Sequence, residues 1–186
     1  MQRSDFAATE AYKEYRYINM NEFEDKEWSD LPDVYVKLKK DKLGYPPVLW
    51  EQLKAKATGK VHVYKLMSVP LYARGLAYHN EVRICTSDDG YYPVVESIIC
   101  RSGYSTVRLW LNDKNDKDLI IDYFTKYHCL LEFKEQLVAI AIPSDAFDEI
   151  YDFICDEKDR GRWDAEDGYL KIDESISYDN LSSRST

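Results

Sequence analysis

The hydrophobic pattern of this chain changes period once, at Ser102-Gly103, and that change constrains the fold more than any other feature. Before it, apolar residues alternate with polar ones. Val34, Val36 and Leu38 interleave with Tyr35, Lys37 and Lys39, the period of two expected of a strand with one buried face. Strand-like runs follow at residues 48–57, 61–66, 81–85 and 91–101, broken by Gly44-Tyr45-Pro46-Pro47, Thr58-Gly59, Ser68-Val69-Pro70 and Ser87-Asp88-Asp89-Gly90. The last break ends in Asp-Gly, a strong hairpin signal. Short strands at this spacing, with no helical period between them, predict a small antiparallel β-barrel-like half over residues 33–102.

Beyond Gly103 strands and helices mix. Val107, Leu109 and Leu111 make a strand face; Ile120, Tyr123, Phe124 and Tyr127 fall at helical spacing; Cys129, Leu131 and Phe133 alternate again. Leu137–Ile142 is nearly all apolar. Pro143-Ser144 then opens a second helix, with Ser144 as expected N-cap, Asp145 and Asp148 in the first turn, and Phe147, Ile150, Phe153 and Ile154 as its stripe. Gly161 fits the helix stop, and residues 162–172 supply a last strand. The order β-α-β-β-α-β over residues 103–173 predicts a ferredoxin-like half, so the expected fold class is α+β.

The charge is unevenly placed. Of 186 residues, 34 are acidic and 25 basic, a net of -9 that argues against a generic nucleic-acid binder. Residues 1–33 carry a net of -5, residues 34–143 a net of +4, and residues 144–179 a net of -9. The body is weakly basic and the ends are acidic. Residues 1–32 read as an extension packed loosely on the body, and residues 174–186 as a flexible tail. Met1–Phe6 leads into polar residues rather than a signal peptide, and no run approaches a membrane span, so a cytoplasmic location with no membrane partner is expected. Cys85, Cys100, Cys129 and Cys155 are widely spaced and form no CxxC pair, as expected of reduced core or half-buried thiols. His62, His79 and His128 are too scattered to nominate a dyad, and a zinc site would need the cysteines to converge with one of them, which spacing alone does not decide; no metal and no cofactor are expected.

Three stretches together resemble a bacterial family catalogued as domain of unknown function 4265. They are Gly44-Tyr45-Pro46-Pro47-Val48 with Trp50-Glu51, Pro70-Leu71-Tyr72-Ala73-Arg74-Gly75-Leu76-Ala77, and Ser102-Gly103-Tyr104-Ser105-Thr106-Val107-Arg108. The resemblance spans about residues 34–170. It implies no activity, although some members look like immunity proteins encoded beside toxins. Where the family carries His in the third stretch, this chain has Tyr104. With an unperturbed pKa of about 10, a tyrosine is poorly placed to act as a general base near neutrality, which favours a fold-supporting role for that stretch.

The third stretch could instead bind a phosphate, with Gly103 admitting close approach and Arg108 contacting oxygens. The structural reading is preferred, because no Lys follows at P-loop spacing and no helix starts here. In it, Gly103 supplies a positive φ, Ser105 and Thr106 satisfy local backbone groups, and Arg108 pairs with a carboxylate across the sheet. Glu51, Glu96 and Arg74 are the charged residues embedded in the first half that could form an acid/base pocket. As members of alternating strands they could equally face solvent.

The leading expectation is therefore a non-enzymatic binding protein, an immunity protein that blocks the active site of a cognate and basic protein toxin, with no nucleic-acid partner. Its surface would be Asp156, Glu157, Asp159, Trp163, Asp164, Glu166 and Asp167, carboxylates that steer association beside an aromatic anchor. The competing expectation is an enzyme or small-ligand binder with a pocket between the halves lined by Glu51, Arg74, Tyr104 and Arg108.

Overall fold

The computed structural model describes residues 16–17, 28–88 and 90–171. The expectations of a loosely packed extension and a flexible tail fall mostly or wholly outside them. The protein is α+β, and the described residues form two antiparallel sheets and two helices.

The first sheet follows the alternation closely: β2 (Asp33–Lys37), β3 (Trp50–Ala57), β4 (Val63–Leu66), β5 (Glu81–Thr86) and β6 (Pro93–Cys100) pair in chain order, each antiparallel to the next. One parallel pair, Tyr35↔Val94, brings β6 back to β2. The inward residues Val34, Leu53, Ala55, Leu66 and Val82 make a small core. The β5–β6 hairpin turns through Ser87–Tyr92, with Gly90 in the left-handed region at φ 79° as Asp-Gly chemistry requires. Cys85 and Cys100 on that hairpin are exposed, as is Cys155; only Cys129 of the four is buried. The expectation of half-buried thiols is corrected at those three positions. Among the described residues, no group of His, Cys, Asp and Glu is arranged to hold a metal ion.

The second sheet has the order β1 (Arg16–Tyr17), β8 (Leu130–Lys134), β9 (Leu137–Pro143), β7 (Tyr104–Leu111), β10 (Trp163–Tyr169), all antiparallel. Helices α1 (Lys117–Phe124) and α2 (Phe147–Asp159) cover one face. Val107, Leu109, Leu111, Val138, Ile140 and Ile142 point at Ile120, Phe124, Ile150 and Ile154 there, the largest core in the protein. Burial at about 25 cal/mol per Å² of apolar surface makes that core the main source of stability. Helix α2 begins one turn later than expected: residues 144–146 form a 3₁₀ turn, Ala146 is the N-cap, and Ser144 donates to the Gly103 carbonyl instead. Gly161, at φ 77°, ends the helix as expected.

The all-apolar β9 is explained by its second face. Ala139 and Ala141 point away from the helices and pack on Met67, Val69 and Tyr78, which come from the first half. Small side chains there let the residue 67–80 segment approach the sheet. That segment has no regular secondary structure over fourteen residues, yet it lies between the two sheets. Irregular backbone in such a place must find its hydrogen bonds in side chains, and a stretch of this length is uncommon in a compact domain.

Candidate functional site

Two side chains hold the middle of that segment. Glu51 is only 6% exposed and sits on β3 in phase with buried Leu53 and Ala55. Its carboxylate accepts the backbone N–H groups of Leu71 at 2.5 Å, Tyr72 at 3.2 Å and Ala73 at 2.6 Å. Arg108, 2% exposed on β7, donates to the carbonyl oxygens of Pro70 and Ala73. The donors of the loop are thus taken by an anion and its acceptors by a cation, each in its charge-assisted form. Arg108 also reaches Glu166 at 3.4 Å, directly opposite it in the β7–β10 register. Glu166 in turn pairs with Arg74 at 2.8 Å. A Cβ on Gly168 would lie 3.1 Å from the guanidinium, so the missing side chain gives Arg108 its place.

Elsewhere along the segment the partners are both side chains and backbone. Val69 N–H donates to Glu132, Gly75 N–H to the Gly168 carbonyl, and Ala77 N–H to the side chain of buried Asn80. Ser102 donates to the Tyr78 carbonyl. Burial pushes the Glu51 carboxyl above the usual carboxylate value, with the Ala73 N–H, the Arg108 charge and the other two N–H groups pulling it back. Burial likewise works against the Arg108 charge, opposed by Glu51 and then Glu166.

Three of the four residues expected at a junction pocket therefore converge, and what they line is a filled clasp. Glu51 and Arg108 spend their hydrogen bonds on the loop, and Arg74 spends its charge on Glu166. Tyr104 belongs to another cluster, edge-on to Tyr78 at 5.3 Å and to His79 at 5.8 Å. Glu96 is exposed on β6. The structural reading of the third stretch needs two corrections. Gly103 is not in the left-handed region, and its carbonyl serves to receive Ser144. Ser105 accepts from the distant Lys171 N–H, while the buried Thr106 hydroxyl has no partner. The pairing of Arg108 across the sheet is as expected.

All three histidines occupy left-handed positions, with φ 56° at His62, 65° at His79 and 57° at His128. Their spacing reflects turns, since His tolerates this region better than most residues. His79 also stacks on Tyr78 with ring centroids 3.8 Å apart, and desolvation followed by the nearby Lys65 charge pushes its pKa down to about 4. A folded pKa below the unfolded 6.5 means that the neutral ring's contribution is present above pH 6.5 and is lost as pH falls through 4. The His79 ring protons are expected to titrate with a midpoint near 4 by NMR, and H79N, which keeps the turn, to lose part of the acid-side fall in thermal midpoint. A midpoint near 6.5 would contradict this packing.

The expected acidic surface is divided. Trp163 is 1% exposed, its indole N–H donates to the Ile154 carbonyl, and its ring lies in the helix-side core. Glu157 is buried and paired with Arg160 and Arg162. Glu166 belongs to the clasp, and Asp167 accepts from the Tyr151 hydroxyl, whose pKa burial and that carboxylate push up to about 12. Asp156 and Asp159 on α2 and Asp164 on β10 are exposed and make no salt bridge among the described residues. The sequence reading missed Trp110, which is 46% exposed and directly opposite Asp164. Its even-numbered place on β7, out of phase with Val107, Leu109 and Leu111, was the available signal.

Fold and site together define a class: an α+β protein whose two sheets are joined through an irregular segment held by a buried carboxylate and a buried guanidinium. The chain belongs to the family described as domain of unknown function (DUF4265), whose model matches residues 51–165, from Glu51 to the residue before Glu166. It is also similar to a solved structure titled as a novel crystal structure of a hypothetical protein from Neisseria gonorrhoeae. The two are 16% identical, 77% of this chain and 97% of that chain are covered, and the TM-score is 0.64, a likeness of fold. No curated protein matches the chain. No helix among the described residues is long and apolar enough to cross a membrane.

Proposed function

We propose that this is a non-enzymatic binding protein of the bacterial cytoplasm that presents an acidic surface to a basic protein partner, most concretely an immunity protein occluding the active site of a cognate nuclease toxin. The observation that carries the reading is the division of charge. The charged groups buried at the junction are committed to holding backbone, whereas Asp156, Asp159 and Asp164 are exposed and make no ion pair among the described residues. Asp152, Asp156 and Asp159 recur at i, i+4 and i+7, one face of α2, while Asp164 stands beside exposed Trp110 on the sheet face that α2 does not cover, with Trp110 as the aromatic anchor there. The finer architecture belongs to the same proposal. A β-barrel-like first half is supported by the Tyr35↔Val94 pair, and a ferredoxin-like second half by the sheet order of β8, β9, β7 and β10.

The test is binding to the product of the neighbouring gene. The triple reversal D156K/D159K/D164K is expected to weaken affinity by about tenfold or more, chiefly through a slower and less salt-sensitive association. Its thermal midpoint should stay close to that of the wild type, since all three side chains are exposed. Unchanged affinity across the reversals would remove this surface from the account.

A further inference from the structure

Between the end of β2 and the clasped loop lies a groove of about 430 Å³, within the range of small-molecule sites. Its walls bring together two of the stretches that identify the family. Tyr45 comes from the first; Tyr72 and Arg74 come from the second; Lys39 and Lys40 line it from beyond the end of β2, as does Lys37, whose ammonium lies over the Trp50 ring at 5.8 Å. The one acid in the lining, Asp41, turns its carboxylate onto the Leu43 and Tyr45 N–H groups. In a chain of net charge -9 the groove is locally cationic. Lys39 and Lys40 are exposed, adjacent and without an ion pair among the described residues. The Tyr45 and Tyr72 rings stand edge-to-face with centroids 6.0 Å apart and give the groove an aromatic wall.

We propose that this groove binds a nucleotide-class ligand, its phosphates on the Lys39 and Lys40 rim and its planar base against Tyr45. Lysine ammonium groups serve phosphate oxygens as mobile point charges, and a tyrosine face or edge accepts any base. The floor is preorganised: Glu51 and Arg108 fix Ala73 from below, and the 41–45 turn closes on itself through the Asp41 N–H to Tyr45 carbonyl bond at 2.7 Å. A site already rigid before binding loses less entropy when it is filled. This site is independent of the acidic surface around α2.

Calorimetric titration of the full chain with ADP, pyrophosphate and adenosine tests it. ADP is expected to bind at one site, about tenfold or more tighter than either pyrophosphate or adenosine. The K39E/K40E variant is expected to lose about tenfold or more of that affinity with an unchanged thermal midpoint. Y45L should weaken ADP while leaving pyrophosphate unaffected. No saturable binding of ADP up to about 1 mM, ADP binding no tighter than pyrophosphate, or wild-type affinity in K39E/K40E would each overturn the proposal.

Discussion

E51A is expected to destabilise the protein by about 3–5 kcal/mol, the range for removing one partner of a buried charged pair. The variant leaves the Leu71, Tyr72 and Ala73 N–H groups without their acceptor and the Arg108 guanidinium buried without the carboxylate that most favours its charge. E51Q should fall between: one amide oxygen can still accept, but the NH₂ group then faces backbone donors. R108M is expected to cost a similar amount, because it strands the Pro70 and Ala73 carbonyl oxygens. The two substitutions share the loop, so the double variant should cost less than the sum of the singles, with a coupling of about 0.5–3 kcal/mol. Chemical denaturation of the four proteins measures this. Additive single losses under about 1 kcal/mol would mean that the pair is solvated rather than structural.

W163A is expected to cost about 3–5 kcal/mol through the cavity it opens among Phe153, Ile154 and the sheet. For a chain of this length that corresponds to a fall of about 6–20 °C in thermal midpoint. W163F should be milder, losing volume and leaving the Ile154 carbonyl without the indole donor. The outcome separates a core residue from a surface anchor. An anchor would show an unaltered midpoint with lost partner binding, which would contradict the placement of Trp163 inside the fold.

The strands and helices were legible because each buries a face at its own period. Val34, Leu53 and Val82 on one sheet and Val107, Leu109 and Leu111 on the other announce themselves locally. The clasp was only half legible. Glu51 stands in phase with Leu53 and Ala55, which marks it as inward-facing, and the motif stretch carrying Arg108 was already in view. Arg108 however lies out of phase with the apolar stripe of β7, on a face that looks solvent-exposed from its own neighbourhood. What buries it is a segment more than thirty residues earlier, and no periodicity within β7 reports that contact. Trp163 and Glu157 were misread for a related reason. They sit within a run of acids that suggests surface, but Trp163 points at the helix layer and Glu157 is enclosed by Arg160 and Arg162. Tyr104, set aside as a general base on residue type alone, packs edge-on against Tyr78 and His79.

The account rests on the irregular segment between the sheets being as firmly held as the core. Native-state hydrogen exchange at the Leu71, Tyr72 and Ala73 amides tests it most directly, with the Leu43 and Tyr45 amides, bonded to exposed Asp41, as internal reference. The prediction is that the three loop amides exchange at the slow rate set by global unfolding, and that E51A releases them. Exchange as fast as at Leu43 and Tyr45 in the wild-type protein would contradict it.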